Sequence, residues 1–494
     1  MCPSGPVRSG RTPTVDCPPE GRPFVLARSG DASVSCPRYD AAVRLLRSRD
    51  FRLLVLSNGL SSLGDELALV ALTIKVFEVS SHSGLAVAAV LLAGIVPLVV
   101  FAPFAGLIVD RTETTGTLAI ASLAQGFIAV GLAFAQPVWL IVALSFLLGS
   151  AASIASPSVF AVVPAAVDDE DLTEANANME TVRYIGMVAG PLIAGGLAGA
   201  LGATRGTRAA LLLDAITFLV ITSAAASLMV RRLPEPVPEG GRKKGEARRG
   251  FSFIVRDRVL MIGVVTISAT VLFATMDNVA EVFFANDPKL LNAGNWGYGA
   301  LAAVWLSGMV GGAALIARRL PEQRLAPAVL LASISGGAAV AIAALFPTIV
   351  LALAMFAFGG VANGVATVSM RSLIHHRVPD ELRGRVFAAY FGVAFAGQLL
   401  ATGLGGVLIA ALPSSRDVLL IGGVGGAIVG LIGLSWFAAL PVDSRRSKVV
   451  IVPDTEPVRG RLVMVRDIMP TTEDGSAAEL MEPVDVLPSG EPSA

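Results

Sequence analysis

Residues 186–196 read GMVAGPLIAGG and lie inside a long apolar run of the sequence. The stretch contains four glycines and one proline. In a helix interior, glycine costs about 1 kcal/mol relative to alanine, and proline costs about 3 kcal/mol. We therefore expect such a helix only where a neighbour packs too closely for larger side chains, or where the loss of one backbone N–H donor is needed for a bend.

The composition indicates a polytopic membrane protein. The chain has 494 residues, of which 54% are hydrophobic and only 15% are charged, and its mean hydropathy is +0.71. A soluble domain has about 25% charged residues. Apolar runs of about 20 residues, long enough to cross a bilayer as a helix, recur along the chain. The formal net charge is zero, so the overall charge does not indicate a nucleic-acid partner.

The two ends of the sequence differ from its middle. Residues 1–43 are rich in Pro, Arg, Ser and Gly and lack the apolar core of a signal peptide. All three cysteines lie there, at positions 2, 17 and 36, and their spacing fits no metal site. Residues 441–494 are polar, acidic and rich in proline. We expect both segments to be disordered cytoplasmic tails.

Hydropathy predicts about twelve spans of about 20 residues each between the tails. Their approximate ranges are 52–77, 84–108, 117–136, 138–163, 178–201, 208–230, 259–284, 298–317, 326–347, 348–370, 385–411 and 416–439. A long polar connection, residues 231–250, separates the first six spans from the last six. The prediction is an all-α polytopic membrane protein with six-helix bundles at 44–232 and 251–440, joined by a basic linker at 233–250.

Arginine and lysine residues concentrate on one side of the twelve-span arrangement. They lie before span 1, in the central linker, and in the loops after spans 8 and 10. Because loops rich in Lys and Arg remain in the cytoplasm, we expect both termini to be cytoplasmic and the protein to lie in the inner, cytoplasmic membrane.

The two halves of the sequence repeat each other at offsets of 207 to 210 residues. The matching pairs are SRDFRLL (48–54) with VRDRVLM (255–261), GLIVDR (106–111) with ALIARR (314–319), and DEDL (169–172) with PDEL (379–382). This pattern predicts two parallel six-helix repeats with a substrate site at their interface, near the bilayer midplane.

These features resemble the major facilitator superfamily over about residues 44–440, and in particular bacterial exporters of the enterobactin-exporter-like and Tap-like multidrug branch. The resemblance is carried by SNGLSSLGDELALVALTIKVFE (57–78), GLIVDR (106–111), SIASPSVFAVVPAAV (153–167) and VPDELRGRVFAAYFG (378–392). GMVAGPLIAGG resembles the span-5 signature of drug–proton antiporters, which is associated with export.

The resemblance gives the opening stretch a role, because span 5 packs between the two halves in that fold. Gly186 and Gly190, then Gly195 and Gly199, have the small-xxx-small spacing that permits close approach of helix backbones. Gly196 belongs to the same motif, and Pro191 removes one helix hydrogen bond and favours a bend. Ordinary packing of small residues in membrane helices is the alternative interpretation.

Charged residues inside spans are candidates for coupling, because a charge at mid-bilayer costs about 2.5–3.5 kcal/mol on insertion scales. Asp65 and Glu66 lie near the middle of span 1, and we favour Asp65 because it matches the Gly-Asp pair of the resembling branch. Arg183 in span 5 is the nearest candidate partner in that family's arrangement. A carboxylate that serves only structure is the alternative for Asp65.

Other polar positions in the spans are weaker candidates. Asp214 is placed in the outer third of span 6, where a structural role is favoured over contact with substrate. Asp277 and Glu281, at the outer end of span 7, are expected to be a solvated helix end. Asn363 and Gln398, deep in spans 10 and 11, are either substrate contacts or interhelix hydrogen bonds. The pair His375 and His376 is expected to be solvated in a loop.

The resemblance also implies a cytoplasmic gate. Asp110 and Arg111 close span 2, and span 11 begins near Arg383 and Arg385. In the superfamily these ends meet when the protein faces outward. The sequence departs from the family after Arg111, where TETT (112–115) replaces the usual basic residues.

The sequence predicts a transporter rather than an enzyme. The dipeptide Gly-Lys does not occur, which excludes a Walker A phosphate loop, and no catalytic, metal-binding or cofactor-binding spacing is present. We expect a monomeric, proton-coupled exporter of a small, largely apolar compound. The alternatives are a dedicated siderophore or natural-product exporter and, in another class, a non-transporting membrane sensor or scaffold.

Overall fold

The computed structural model describes residues 48–101, 111–168, 171–229, 246–441, 448–452 and 461–465, together with Leu45, Phe104 and Ile108. The N-terminal tail 1–43 and most of the central linker lie outside these residues. The described chain is almost entirely helical.

Six long helices form the first half of the molecule. They are α1 (Arg49–Val79), α2 (Gly84–Val100), α3 (Thr114–Phe134), α4 (Val138–Ala166), α5 (Leu172–Leu201) and α6 (Ala203–Ser227). They correspond to predicted spans 1 to 6. Although Pro191 lies inside α5, the helix is continuous through it.

A short helix and six long helices follow the linker. They are α7 (Glu246–Arg256), α8 (Arg258–Asn286), α9 (Gly294–Gly311), α10 (Glu322–Leu345), α11 (Ile349–Arg377), α12 (Asp380–Ala411) and α13 (Ser415–Ala439). The end of α9 continues as a π-helical turn over Gly312–Ile316 and a 3-10 turn over Ala317–Arg319. Helices α8 to α13 correspond to predicted spans 7 to 12.

Ten helices in the described part of the chain are long and apolar enough to cross a membrane. The remaining long helices are α2, which is apolar but has 17 described residues, and α1. Helix α1 has 31 residues, but it carries Asp65, Glu66 and Lys75 and is therefore less apolar. The predicted all-α polytopic architecture is confirmed.

The same pairs of helices contact each other in the two halves. Helix α1 packs on α5 and α6, as α8 packs on α12 and α13, and α3 packs on α6 as α10 packs on α13. The repeat seen in the sequence is thus a repeat of packing.

The apolar core divides in a way that gives the molecule two different ends. We call the end at which α7 joins α8 the linker side, and the opposite end the far side. One cluster of buried apolar residues, from Leu67 to Leu419, contains residues of both halves. Two other clusters belong to one half each: residues from Leu45 to Leu228 in the first and from Phe253 to Tyr390 in the second. The halves therefore share a core towards the far side and have separate cores on the linker side.

The segment 441–494, for which we expected disorder, contains two short strands. Strand β1 (Lys448–Val452) pairs antiparallel with β2 (Arg461–Val465), with Val450 opposite Val463. The sequences KVVIV and RLVMV are rich in β-branched and apolar residues, which favour strands. These residues explain why the two segments form strands although the rest of the tail is polar in composition.

Candidate transport site

Helix α5 packs against α1 through two of its motif glycines. A Cβ atom added to Gly190 would lie 2.7 Å from the Leu63 carbonyl oxygen and 2.8 Å from the Glu66 Cβ atom. A Cβ atom on Gly186 would overlap the Gly59 carbonyl oxygen. Any larger side chain at these positions would force the helices apart, so the glycines are what allow α1 and α5 to meet backbone to backbone.

The next glycines of α5 meet the second half of the molecule. A Cβ atom on Gly195 would lie 2.8 Å from the Gly299 Cα atom of α9, and one on Gly199 would lie 3.1 Å from the Trp296 Cβ atom. A Cβ atom on Gly196 would meet nothing within 4 Å. Helix α5 therefore packs on its own half with one pair of glycines and on the other half with another, as the resemblance implied.

Helices α2 and α12 make the corresponding contact on the other side of the interface. A Cβ atom on Gly406 would lie 2.5 Å from the Ala88 Cβ atom and 3.0 Å from the Gly84 carbonyl oxygen. Gly84 begins α2, and Gly406 lies near the end of α12. Spans 5 with 8 and 11 with 2 thus form two related close contacts between the halves, both towards the far side.

Aromatic and polar side chains add to the closure between the halves. The rings of Phe77 in α1 and Phe283 in α8 pack edge to face, with their centroids 4.9 Å apart. The Tyr298 side chain of α9 lies close to the Thr73 side chain of α1 and is within electrostatic range of Glu66 and Glu281. These contacts join α1 of the first half to α8 and α9 of the second half.

Asp65 and Glu66 lie near the middle of α1, where the shared core begins. Asp65 is exposed, while Glu66 is half-buried and lies beside Gly190 of α5. Towards the linker side, α1 contributes to the core of the first half alone through residues up to Val55. Towards the far side it contributes to the shared core from Leu67 onward. The two carboxylates therefore occupy the level at which the halves converge.

Arg183 pairs with a residue other than the expected Asp65. Its Nε atom donates to Glu180 Oε2 at 3.1 Å, and its guanidinium lies over the Tyr184 ring at 5.4 Å. Both Arg183 and Glu180 are partly exposed. Arg183 also lies within electrostatic range of Glu66, so its influence on α1 falls on Glu66. Arg183 pairs with Glu180 rather than with Asp65 because residues three positions apart are neighbours on the surface of a helix.

The prediction that Asp214 lies in the outer third of its helix is wrong, and its side chain is buried rather than exposed to a cavity in this conformation. Helix α6 begins at Ala203, so Asp214 lies near its middle, where it is fully buried. Its Oδ1 atom lies 3.4 Å from the Thr217 hydroxyl, and its Oδ2 atom has no partner. The carboxylate is accommodated because Gly64 of α1 has no side chain at the contact, and it lies within electrostatic range of Asp65.

The expectation that Asp277 and Glu281 form a solvated helix end is wrong. Asp277 is only 4% exposed, its Oδ1 atom has no partner, and Glu281 is half-buried. The Asp277 carboxylate packs onto Gly422 of α13, which removes it from solvent. In each half, therefore, a buried carboxylate occupies the space left by a glycine at the contact between the first and sixth spans.

Asn363 and Gln398 are both half-buried in their helices. The Asn363 Oδ1 atom accepts from the Thr367 hydroxyl at 3.4 Å, within α11 itself. Gln398 provides its backbone carbonyl to the Thr402 hydroxyl at 3.0 Å. These hydrogen bonds are within single helices rather than between them.

The proposed gate is described only in part. Asp110 lies outside the described residues, and Arg111 is exposed. Arg383 forms an ion pair with Asp380 of its own helix and donates to the His375 carbonyl oxygen at 3.3 Å. Arg385 is half-buried and lies with its backbone against Gly250 of α7.

The expectation that His375 and His376 lie in a loop is wrong, because they lie in the last turn of α11. Both are exposed, as the expectation of solvated side chains required. The His375 ring contacts the Phe387 ring at a centroid distance of 5.2 Å, and His376 Nδ1 lies 3.7 Å from Glu322 Oε2. The helix continues past the apolar span and brings both side chains onto neighbouring residues.

A buried ion pair on the linker side was not predicted. Asp257 Oδ2 accepts from Arg377 Nε at 2.8 Å, and both side chains are almost fully buried. The Asp257 Oδ1 atom accepts from the backbone amides of Val259 and Leu260 and so caps α8. The position of Asp257 just before span 7 is a helix-start signal that the sequence contained, but nothing local indicated Arg377, which is distant in sequence.

Lys75 is a second buried charge that the sequence reasoning missed. Its Nζ atom donates to the carbonyl oxygens of Leu132 and Ala133 at 2.5 and 3.0 Å. These carbonyls belong to the last turn of α3, where backbone acceptors lack helical partners and a cation is favourable. Lys75 therefore fastens α1 to the end of α3.

The chain is similar to known membrane transporters. A model of the Major Facilitator Superfamily matches residues 54–402. The uncharacterized MFS-type transporter YfiS of Bacillus subtilis (strain 168) is 24% identical over 368 residues, which cover 72% of this chain and 85% of that protein.

Solved structures share the fold at low sequence identity. The nucleoside transporter NupG has a TM-score of 0.62 at 13% identity, covering 79% of this chain and 100% of that one. A bacterial homologue of the iron transporter ferroportin in an inward-facing state has a TM-score of 0.58 at 16% identity, covering 78% and 98%. The family match spans both six-helix halves and agrees with their repeated packing, and the chain is therefore a membrane transporter that belongs to the Major Facilitator Superfamily.

Proposed function

We propose that this chain exports a small, largely apolar organic compound from the cytoplasm by proton antiport. The observation that carries the proposal is the position of Asp65, an exposed carboxylate near the middle of α1, at the level where the two halves converge. A charge is expensive at this depth in a membrane and is retained where it serves transport. Asp65 exchanges the proton, and Glu66 with Arg183 tunes the adjacent contact with α5.

The proposal assigns the linker side to the cytoplasm, because arginine and lysine are concentrated in its loops. Both termini are then cytoplasmic, and the conformation with separate cores on the linker side is the inward-facing one. Export follows from the likeness of GMVAGPLIAGG to the antiporter signature. The close contacts that its glycines form with both halves support a role for α5 in the relative movement of the halves.

Alternating access then consists of breaking one set of contacts and forming another. The far-side contacts of α5 with α9 and of α2 with α12 open, while the linker-side ends of the halves approach. A proton crossing a potential of 100 mV provides about 2.3 kcal/mol, which supports about a 50-fold gradient of a neutral solute. The protein works as a monomer in this scheme, because the site lies between two halves of one chain.

The test is transport by the purified chain in proteoliposomes. We would impose a pH gradient and follow the accumulation of lipophilic dyes, Hoechst 33342 and ethidium, with protein-free liposomes as the control. The proposal predicts dye movement that stops when a protonophore collapses the gradient. Dye movement that is insensitive to the protonophore would contradict proton coupling. The absence of movement of these dyes and of a panel of siderophores would favour the sensor or scaffold alternative.

A further inference from the structure

The linker helix α7 uses only one of its faces to pack on the protein. Phe253 and Ile254 are buried in the core of the second half. A Cβ atom on Gly250 would lie 2.6 Å from the Arg385 carbonyl carbon, so the backbone of α7 rests on the beginning of α12. These contacts hold α7 against the second half, and they leave Arg249, Phe251, Val255 and Arg256 exposed.

The exposed surface of α7 is divided into an apolar and a basic strip. Phe251 and Val255 are 54% and 49% exposed and lie one helical turn apart. Arg249 and Arg256 are also exposed and lie two turns apart, so they share a side of the helix. At about 100° per residue, the two strips are separated by about 130° around the helix axis.

Because α7 lies directly before a membrane-crossing helix, we expect these strips to lie at the level of a bilayer surface. Helix α7 ends at Arg256 and the membrane-crossing helix α8 begins at Arg258. An exposed phenylalanine and valine in water leave apolar area unburied, whereas the boundary between headgroups and acyl chains accepts apolar and basic side chains together. The preceding sequence adds positive charge through Arg242, Lys243 and Lys244.

We propose that α7 binds the membrane surface on the linker side as an interfacial helix that recognises anionic lipids. Phe251 and Val255 enter the acyl-chain boundary, and Arg249 and Arg256 contact lipid phosphates. Because Gly250 lies on the Arg385 backbone, lipid binding fixes the linker-side end of α12 relative to the bilayer. This inference requires only that the protein spans a membrane, and it is independent of substrate and of proton coupling.

The depth of α7 can be measured on the full chain with spin labels. Cys2, Cys17 and Cys36 would be replaced by serine, and a nitroxide placed at Val255→Cys or at Ser252→Cys as the matched control. In nanodiscs of phosphatidylcholine with one quarter phosphatidylglycerol, collisions at 255 should favour oxygen over a water-soluble nickel chelate several-fold. At position 252, collisions with the nickel chelate should instead exceed those with oxygen. Preference for the nickel chelate at both sites would overturn the proposal.

The lipid specificity can be measured by amide hydrogen exchange of residues 246–256. Each basic residue near an anionic surface strengthens binding about fivefold, so phosphatidylglycerol should slow exchange at least about tenfold. R249Q/R256Q should lose this protection and R249K/R256K should keep it. Equal exchange with and without phosphatidylglycerol, or equal loss in both variants, would contradict the proposal. Equal protection by inorganic phosphate in phosphatidylcholine discs would show a free-anion site instead.

Discussion

Gly195 of α5 and Gly299 of α9 approach so closely that a Cβ atom on Gly195 would lie 2.8 Å from the Gly299 Cα atom. Carbon atoms normally pack about 3.5–4.0 Å apart. The contact therefore exists only because both residues are glycine, and it joins the two halves of the transporter towards the far side. Its neighbour Gly196 has free space around it and provides a control within the same motif.

Replacement of Gly195 by valine should open the far side. Overpacking costs about 1–3 kcal/mol, which shifts a two-state equilibrium by about 5- to 150-fold. Nitroxides at Ser81→Cys and Lys289→Cys, one in each half, would report the separation by double electron–electron resonance. We expect a longer distance population in Gly195→Val and the wild-type distribution in Gly196→Val. The same distribution in both variants would show that the contact does not hold the far side closed.

The buried carboxylate at Asp214 and the glycine at Gly64 should be coupled energetically. Gly64→Ala places a methyl group against the carboxylate and should destabilise the protein by about 1–3 kcal/mol. Asp214→Ala removes the nearer of the two groups that this methyl would meet and leaves only the Thr217 hydroxyl oxygen, at 2.7 Å, so Gly64→Ala should then cost less. Thermal unfolding of the two single variants and the double variant in detergent measures this coupling. Additive shifts in Tm would contradict the packing described for this pair.

Removal of Arg377 should destabilise the linker side of the second half. Arg377→Met leaves the Asp257 carboxylate buried without its cation, which costs about 3–5 kcal/mol. The additional change Asp257→Asn should recover part of that loss, because the asparagine side chain still accepts the amide hydrogen bonds of α8. Arg324→Met, at an exposed arginine, is the control for loss of a positive charge. Equal thermal stability of the Arg377 and Arg324 variants would count against the ion pair.

Lys75→Met should loosen the first half at the end of α3. The substitution leaves the carbonyl oxygens of Leu132 and Ala133 without their charged donor, a loss of about 1.5–3 kcal/mol. Lys289→Met, at an exposed lysine, should leave the Tm unchanged. Hydrogen exchange near the end of α3 should rise only in the Lys75 variant, and no change there would refute the capping role.

The spans and their repeat were predictable because they depend on composition over lengths of about 20 residues. The ends of the helices were harder to predict than the spans. Helix α5 begins at Leu172 and α6 at Ala203, several residues before the predicted spans begin. Hydropathy detects only the apolar part of a helix, and polar residues continue the same hydrogen-bonding pattern beyond it.

The placement of the candidate residues along their helices was predictable from the sequence, but their contacts were predictable only in part. The carboxylates of span 1 and the glycines of span 5 were identified from local sequence. The burial of Asp214 and Asp277 was not, because it depends on glycines in other helices and on the register between helices. The pairing of Arg183 with Glu180 had a local signal, the i, i+3 spacing of opposite charges, and was available from the sequence.

The most direct test of the central claim is the proton-driven accumulation of a transported dye in proteoliposomes. Asp65→Asn would be compared with the wild type and with Glu66→Gln. The amide at position 65 cannot exchange a proton, so the variant should retain substrate exchange between equal compartments while losing accumulation under a pH gradient. The wild type should reach up to about a 50-fold gradient at one proton and 100 mV, and the Asp65 variant should approach equal concentrations. Wild-type accumulation by Asp65→Asn would contradict the account.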